Sequence, residues 1–513
     1  MDQPPVTGPL DHLTSWRADW QGLRVVVLGL GVTGFAAADT LAELGARVTV
    51  AARTPDADRA RILPVIGVDL VELSGDDSSD ADAVLALGAD LAIVSPGFRP
   101  DQPLIRAIQD AGIPLWGDIE LAWRVRDKVE PAAEWVLITG TNGKTTTTQL
   151  TATMLREAGL RAAPCGNIGV PVLDAVRDPA GFDVLVVELS SFQLHWLPTS
   201  GPGALVPLAS ACLNLADDHY DWHGSAQAYR DAKAKVYENT RVACVYNRRD
   251  EATMRMVEGA DVIEGCRAIG FGSDTPGPSD IGVVDDLIVD RAFLAERHTS
   301  ALELATLADL REAGLQTPHG LANTLAAAAL ARAVGVQPRA VRDGLRAFRV
   351  DAHRTEVVAA GGDVIWVDDS KATNAHAAAA ALAAYRSVVW IAGGLTKGVD
   401  LAPLVADHRD RLRAAILIGD DRSALREAFA RHAPHLTVLE VTAGETDGVM
   451  PEAVRLAAQV AQPGDTVLLA PAAASMDQFT DYADRGRRFA DAVRRHTEGG
   501  PDDEHPTPSP DAR

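Results

Sequence analysis

Trp135-Val-Leu-Ile-Thr-Gly140-Thr-Asn-Gly143-Lys144-Thr145-Thr146-Thr-Thr-Gln-Leu150 decides the fold. An apolar run ends in a turn with two glycines, and a stretch fit for a helix follows at once, out to Ala158. This order predicts a phosphate loop. Successive backbone N–H groups and a helix N-terminus converge on an anion, Lys144 reaches the terminal phosphates, and the Thr145 hydroxyl reaches Mg2+. The spacing departs from the general GxxxxGK[ST] pattern, because Ile138 stands five places before Gly143. Strand before and helix after is nonetheless the context such a loop requires.

The same alternation extends on both sides. Upstream, a strand over Arg24–Leu28 runs into Gly29-Leu-Gly31-Val-Thr-Gly34 and a helix over Phe35–Leu44. A strand over Arg47–Val50, an apolar run over Leu91–Val94 and a helical stretch over Gln102–Ala111 follow. Repeated βαβ units imply a parallel sheet wrapped by helices. The three glycines fit a diphosphate-binding turn, which a purely structural turn would also fit. A nicotinamide cofactor suits it less, because Ala51-Ala52-Arg53 offers no acid for ribose hydroxyls. A linker with Asp127, Lys128, Glu130 and Pro131 closes this unit.

Downstream of the loop, the strand Asp183–Leu189 ends on Glu188-Leu-Ser-Ser, where a hard carboxylate for Mg2+ would stand. Asn214-Leu-Ala-Asp-Asp-His219-Tyr-Asp221 follows, readable as a solvated acidic loop. Ser225 caps a helix through Asn239 that carries Lys233 between Tyr229 and Tyr237. Residues 272–317 read as irregular, acidic and short-stranded, ahead of an alanine-rich helix over Leu321–Val334. A third unit starts near Arg349, with strands at Val364–Val367, Ser387–Ile391, Ala414–Ile418 and Thr466–Leu469 and a last helix over Gln478–Arg495. Its strand ends carry Asp369-Ser-Lys371-Ala-Thr373-Asn374, Gly393-Gly-Leu-Thr-Lys397 and Pro471-Ala-Ala-Ala-Ser475-Met-Asp477-Gln-Phe479. Such loops are where ligands gather in parallel sheets.

The 513 residues are enough for three to four domains, and 47 % apolar content supplies their cores. A balance of 48 basic against 71 acidic residues, net −23, disfavours nucleic acid and anionic membranes as partners. Any polyanion must therefore be held by a local basic site. The longest uncharged run, Leu189–Ala216, is broken by Pro198, Pro202 and Pro207, so no membrane insertion is expected. The N-terminus lacks signal-peptide chemistry, and four cysteines without a CxxC pair suggest a cytoplasmic, reducing setting. Only six of the 48 basic residues are lysine, and Lys144, Lys233, Lys371 and Lys397 fall in or beside the loops above. Arginine serves wherever a surface cation suffices, so these lysines mark places that need a compact or neutralisable amine.

In order and spacing these motifs resemble the Mur ligases, the ATP-dependent amino-acid-adding enzymes of peptidoglycan synthesis. The resemblance spans about residues 24–496. The Asp369–Asn374 block and Ala474-Ser475-Met-Asp477-Gln-Phe479 resemble the branch that adds D-glutamate, whereas a branch adding a diamino acid shares the loop but not the first block. It implies an α/β protein of three domains: a Rossmann-like N-terminal domain (1–120), a central P-loop ATPase-type domain (121–351) and a Rossmann-like C-terminal domain (352–497), with 498–513 as a disordered tail. UDP-N-acetylmuramoyl-L-alanine would be held at Val32, Thr33, Arg53, Ser95, Pro96, Gly97 and Asn167. ATP would be held at Gly140, Thr141, Asn142, Gly143, Lys144, Thr145, Thr146, Asn323, Arg354 and Asp369. Two Mg2+ ions would take Thr145, Glu188, His219 and a carbamylated Lys233. D-Glutamate would meet Thr373, Lys397, Ser475 and Tyr482, with Lys371 joining Lys144, His219 and Lys233 as catalytic groups. The enzyme is expected to work as a monomer. Ala51 and Gly320 depart from residues common in the family. Two other classes stay open: a nicotinamide-dependent oxidoreductase, which would turn over NAD(P)H, and an ATP-gated binding protein, which would release no phosphate with all substrates present.

Overall fold

A computed structural model describes residues 8, 10–349, 356–361, 364–396 and 399–498. The chain divides into two compact units. One holds the described residues up to Leu215 and from Trp222 to 349; the other holds Ala216–Asp221 and the described residues after 355. Arg354, Lys397 and the tail beyond 498 lie outside the described residues.

The first unit carries two sheets. In the first, β1 (Arg24–Leu28), β2 (Arg47–Ala52), β3 (Asp69–Glu72), β4 (Leu91–Val94) and β5 (Leu115–Gly117) run parallel in the order β3-β2-β1-β4-β5. Val25–Leu28 and Leu91–Val94 are buried throughout, as expected of strands covered on both faces. Strand order reverses between β1 and β4, which places the Gly29–Gly34 turn and Ser95–Gly97 at one crevice.

The second sheet comprises β6 (Glu134–Thr139), β7 (Ala162–Gly166), β8 (Val184–Glu188), β9 (Ala209–Cys212), β10 (Ala243–Asn247), β11 (Arg267–Phe271), β12 (Asp280–Val284), β13 (Leu287–Asp290) and β14 (Leu302–Thr306), in the order β14-β13-β12-β11-β10-β9-β6-β8-β7. Side chains of β6 alternate between two cores. Trp135 and Leu137 join the one shared with the first sheet, and Val136 and Ile138 join the one beneath the helix Pro318–Val334. The expected boundary at residue 120 falls within a fully buried helix, Asp118–Arg124.

The stretch expected to be irregular and short-stranded does carry short strands, and these are regularly paired. β12 and β13 form a hairpin across Asp285-Asp286, with Asp285 at φ +53, and β14 extends it antiparallel. Some of its acids serve turns and caps, such as Asp285 in the hairpin and Asp309 in a capping box with Thr306, and Asp290 in β13 pairs with Arg332.

In the second unit, β15 (Glu356–Gly361), β16 (Val364–Asp368), β17 (Val388–Gly393), β18 (Leu412–Ile418), β19 (Thr437–Glu440) and β20 (Thr466–Leu469) lie in the order β15-β16-β20-β17-β18-β19. Only β15 is antiparallel, an edge strand ahead of β16, the first strand expected from the sequence. The last helix spans Tyr482–Glu498, starting four residues later than expected, because the Asp481 carboxylate accepts from Asp484 N at 2.7 Å and so caps it there. Among the described residues, no helix is long and apolar enough to cross a membrane.

Candidate active site

β6 lies between β8 and β9, so the loop leaving it is flanked by the ends of both neighbours. Gly140 and Gly143 adopt φ +149 and +85, and the helix Lys144–Glu157 begins immediately. Gly143 has a second constraint: a Cβ there would stand 2.2 Å from Asn323 Oδ1. The loop thus approaches Asn323 closely, and the long helix Pro318–Val334 positions that residue. Lys144 Nζ donates to the Gly140 and Thr141 carbonyls, both at 2.9 Å, which holds the ammonium over the loop. Thr145 and Thr146 are buried in the first helical turn.

Asn214, at the end of β9, clips the loop from one side. Its Oδ1 accepts from Asn142 N at 2.9 Å, its Nδ2 donates to Asn142 O at 3.0 Å, and its carbonyl accepts from Thr141 N at 3.0 Å. The sequence alone does not announce this task for Asn214; its place just after β9, beside the loop, is the one local signal. On the other side stands Glu188, 2 % exposed. Asn167 Nδ2 donates to Glu188 Oε1 at 3.0 Å, while Glu188 Oε2 is buried without a hydrogen-bond partner. A carboxylate oxygen left unsatisfied beside a phosphate loop fits a hard cation such as Mg2+.

Lys233 is 2 % exposed and packs beneath the loop. Its Nζ lies 2.9 Å from Gly140 O, 3.3 Å from Thr139 Oγ1 and 4.9 Å from the centre of the Tyr229 ring. The Tyr229 hydroxyl in turn meets Thr141 Oγ1 at 2.9 Å. Lys233 is thus no solvated surface lysine. His219 belongs to the short segment that clusters with the second unit. It sits at φ +56, its backbone N–H donating to Asp218 Oδ1 at 3.0 Å.

At the first sheet's crevice, Val32 is exposed and Gly34 touches the turn: a Cβ there would stand 2.1 Å from Gly29 O. Ser95 Oγ faces these glycines without a hydrogen-bond partner. Arg53 follows β2 and is paired with Asp77 and with Asp80, the latter at 2.8 Å. Trp222 Nε1 donates to Gly97 O at 3.4 Å, and Phe192 stacks on the Trp222 ring at 4.6 Å.

His223 and His195 join this aromatic cluster. Burial, aided by the charges of His195 and Lys233, pushes His223 down to about 4, and burial with Lys235 does the same to His195. Folded-state values below the unfolded value mean a stability contribution that is complete above about pH 6.5 and is lost as pH falls towards 4. The thermal midpoint should therefore fall between pH 7 and pH 5. His223→Gln, which can keep the hydrogen bond to Ser191 Oγ, should show a smaller fall in parallel melting scans.

In the second unit, the loops after β16, β20 and β17 lie side by side at the carboxyl edge. Lys371 Nζ stands 4.9 Å from the Tyr482 ring centre, Asn374 caps the helix Ala375–Ala383, and Ser475 is buried in the turn that carries Phe479. Asp369 and Thr373 are half-buried in the same loop as Lys371. Arg485, which sequence reading missed among many arginines, ties two of these loops together. It donates to Ser370 Oγ at 3.0 Å, Ser370 O at 2.8 Å and Ala473 O at 3.2 Å, and burial lowers it to about 10. Arg485→Ala would strand these acceptors and should cost about 3 kcal/mol of stability in denaturant titration.

The comparisons with known proteins agree with this architecture. Residues 23–117 match the Mur ligase MurD-like N-terminal domain, 138–331 the Mur ligase middle domain, and 353–473 the Mur ligase glutamate ligase domain. The UDP-N-acetylmuramoylalanine--D-glutamate ligase of Leifsonia xyli is 64 % identical over 96 % of each chain, and that of Streptomyces avermitilis 53 % identical over 93 % of this chain and 99 % of its own. Among solved structures, the UDP-N-acetylmuramate-alanine ligase of Thermotoga maritima covers 93 % of this chain and 99 % of its own at 19 % identity, with a TM-score of 0.54. A phosphate loop between parallel strands, the three domain matches and this near full-length identity lead to one assignment: the chain belongs to the Mur ligase family, among its UDP-N-acetylmuramoylalanine--D-glutamate ligases.

Proposed function

We propose that the chain is an ATP-dependent acid–amino-acid ligase that joins D-glutamate to UDP-N-acetylmuramoyl-L-alanine in the cytoplasm, during peptidoglycan synthesis. The observation that carries the phosphoryl-transfer part is the unsatisfied Glu188 oxygen beside the Lys144 loop. The near full-length identity to ligases of that name supports the substrates.

A carboxylate does not condense with an amine at neutral pH, because oxide is too poor a leaving group. Transfer of the γ-phosphoryl of ATP to the substrate carboxylate gives an acyl phosphate. The amine of D-glutamate then attacks the acyl carbon, and phosphate leaves from the tetrahedral intermediate. Lys144 and the N–H groups of Gly140–Thr146 hold the triphosphate and offset its repulsion of the incoming carboxylate. Thr145 and Glu188 would hold one Mg2+, and His219 with a carbamylated Lys233 a second; when bound, these ions neutralise charge on the transferring group. Asn323, Arg354 and Asp369 are assigned to the nucleotide. Val32, Thr33, Arg53, Ser95–Gly97 and Asn167 are assigned to the UDP-sugar, and Lys371, Thr373, Lys397, Ser475 and Tyr482 to D-glutamate and its surroundings. The domains divide the work as 1–120, 121–351 and 352–497, in a monomer.

A phosphate-release assay with ATP, Mg2+, UDP-N-acetylmuramoyl-L-alanine and a panel of amino acids tests this reading. Release should need all three substrates and prefer D-glutamate over L-glutamate and diamino acids, since Lys371 and Lys397, the lysines proposed for the amino-acid site, would attract a side-chain carboxylate and repel a side-chain ammonium. Equal turnover of a diamino acid would overturn the substrate assignment.

A further inference from the structure

Cys244 lies in β10 and is 1 % exposed, whereas Cys266, in the turn before β11, is half-buried. β10 and β11 are parallel neighbours with Cys244 paired to Ala268, so Cys266 stands two residues back along the partner, on the same face. The two Sγ atoms are 3.8 Å apart. We propose that Cys244 and Cys266 are an oxidation site, closing to an intramolecular disulfide when a hydroperoxide reaches Cys266.

The sulfurs must approach by about a further 1.8 Å to reach bonding distance. The exposed Glu264-Gly265 turn beside Cys266 can give, because β11 begins only at Arg267. The pair is also chemically asymmetric. The contact between the two thiols holds the Cys266 thiol below its usual range and, together with burial, pushes Cys244 up. Cys266, the thiol of the pair that a hydroperoxide can reach, is the nucleophile, and the buried Cys244 is the resolving thiol. Cys165 and Cys212 are fully buried, which pushes them up to about 12 and about 11 and leaves them inert.

In the first step the Cys266 thiolate attacks a peroxide oxygen. The O–O bond breaks, giving a sulfenic acid and hydroxide, which takes up a proton to become water. Cys244 then attacks the Cys266 sulfur, the S–S bond forms and the S–O bond breaks. The departing hydroxide takes the Cys244 proton and leaves as a second water. Two thiols lose two electrons in total, and one hydrogen peroxide is reduced to two waters. The bond would staple β10 to β11 near the amino ends of their strands, whereas the phosphate loop stands at the carboxyl end of β6, so ligase activity should change less than about twofold.

The test treats the reduced, full-length protein with hydrogen peroxide, blocks remaining thiols in denaturant and digests it without reductant. Trypsin cutting after Arg241, Arg248, Arg255 and Arg267 should yield peptides 242–248 and 256–267 joined through Cys244 and Cys266 and separated by dithiothreitol. More than half the chains should be linked, within monomers. Cys244→Ser should instead leave Cys266 as a sulfenic acid that dimedone captures, and Cys266→Ser should leave Cys244 fully alkylated; unchanged phosphate release reports that both variants fold. A wild-type protein with both thiols still alkylated, with Cys266 over-oxidised beside a reduced Cys244, or linked only between chains, would overturn the proposal.

Discussion

Lys144→Ala should lower kcat for phosphate release by about a thousandfold, with the KM for D-glutamate nearly unchanged. The ammonium is fixed over the loop by the Gly140 and Thr141 carbonyls, so its position does not depend on the amino acid. In the proposed mechanism its charge acts on the transferring phosphoryl, and a group that acts on the transition state is read out in kcat. Lys397→Ala is expected to fail differently, raising the KM for D-glutamate about tenfold or more while kcat falls less. Steady-state kinetics on both variants separates the roles; identical signatures would show that one of the two assignments is wrong.

The parts legible in the sequence are those whose physics is local. β6 and its loop could be read because an apolar strand buried on both faces, a glycine at positive φ and a helix start follow one another within a dozen residues. The Ser225 cap could be read for the same reason, since its hydroxyl accepts from Ala228 N three residues on. The roles of Asn214 and Arg485 are set by partners far along the chain: Asn142 lies 72 residues from Asn214, and Ser370 lies 115 from Arg485. No local pattern announces such contacts. β15 escaped because Ala359-Ala360-Gly361 weakens the strand propensity of its second half, and its strand state depends on pairing with β16.

The scarcity of lysine was a useful guide with a limit. Lys144 and Lys233 stand at the phosphate loop, and Lys371 at the carboxyl edge of the third sheet. Lys235 donates to the His195 and Leu197 carbonyls at 2.7 and 2.9 Å, and Lys128 pairs with Glu43 and lies 4.2 Å from the Trp16 ring centre. A compact ammonium is thus also kept where two converging carbonyls or a ring face need one. Scarcity selects for geometry, and catalysis is one source of geometric demand.

Lys233→Arg should be inactive, and Lys233→Ala should lose most activity but regain part of it with small carboxylic acids. The structure gives this pair of variants its contrast. Lys233 is 2 % exposed and packed between Tyr229 and the loop, with Gly140 O 2.9 Å from Nζ, so there is no solvent route for a longer, permanently charged guanidinium. Carbamylation consumes a neutral amine and CO2, and desolvation favours the uncharged amine. The product retains an N–H that can donate to a carbonyl, while adding an oxygen anion of the kind Mg2+ prefers. Arginine can supply neither the neutral form nor the carboxylate. Alanine leaves a space that a carboxylic acid can occupy, which is why only that variant should be rescued. Phosphate release measured across a bicarbonate series, with the intact mass of wild type recorded under CO2, tests the reading. An arginine variant with full activity would reduce Lys233 to a packing residue beneath the loop.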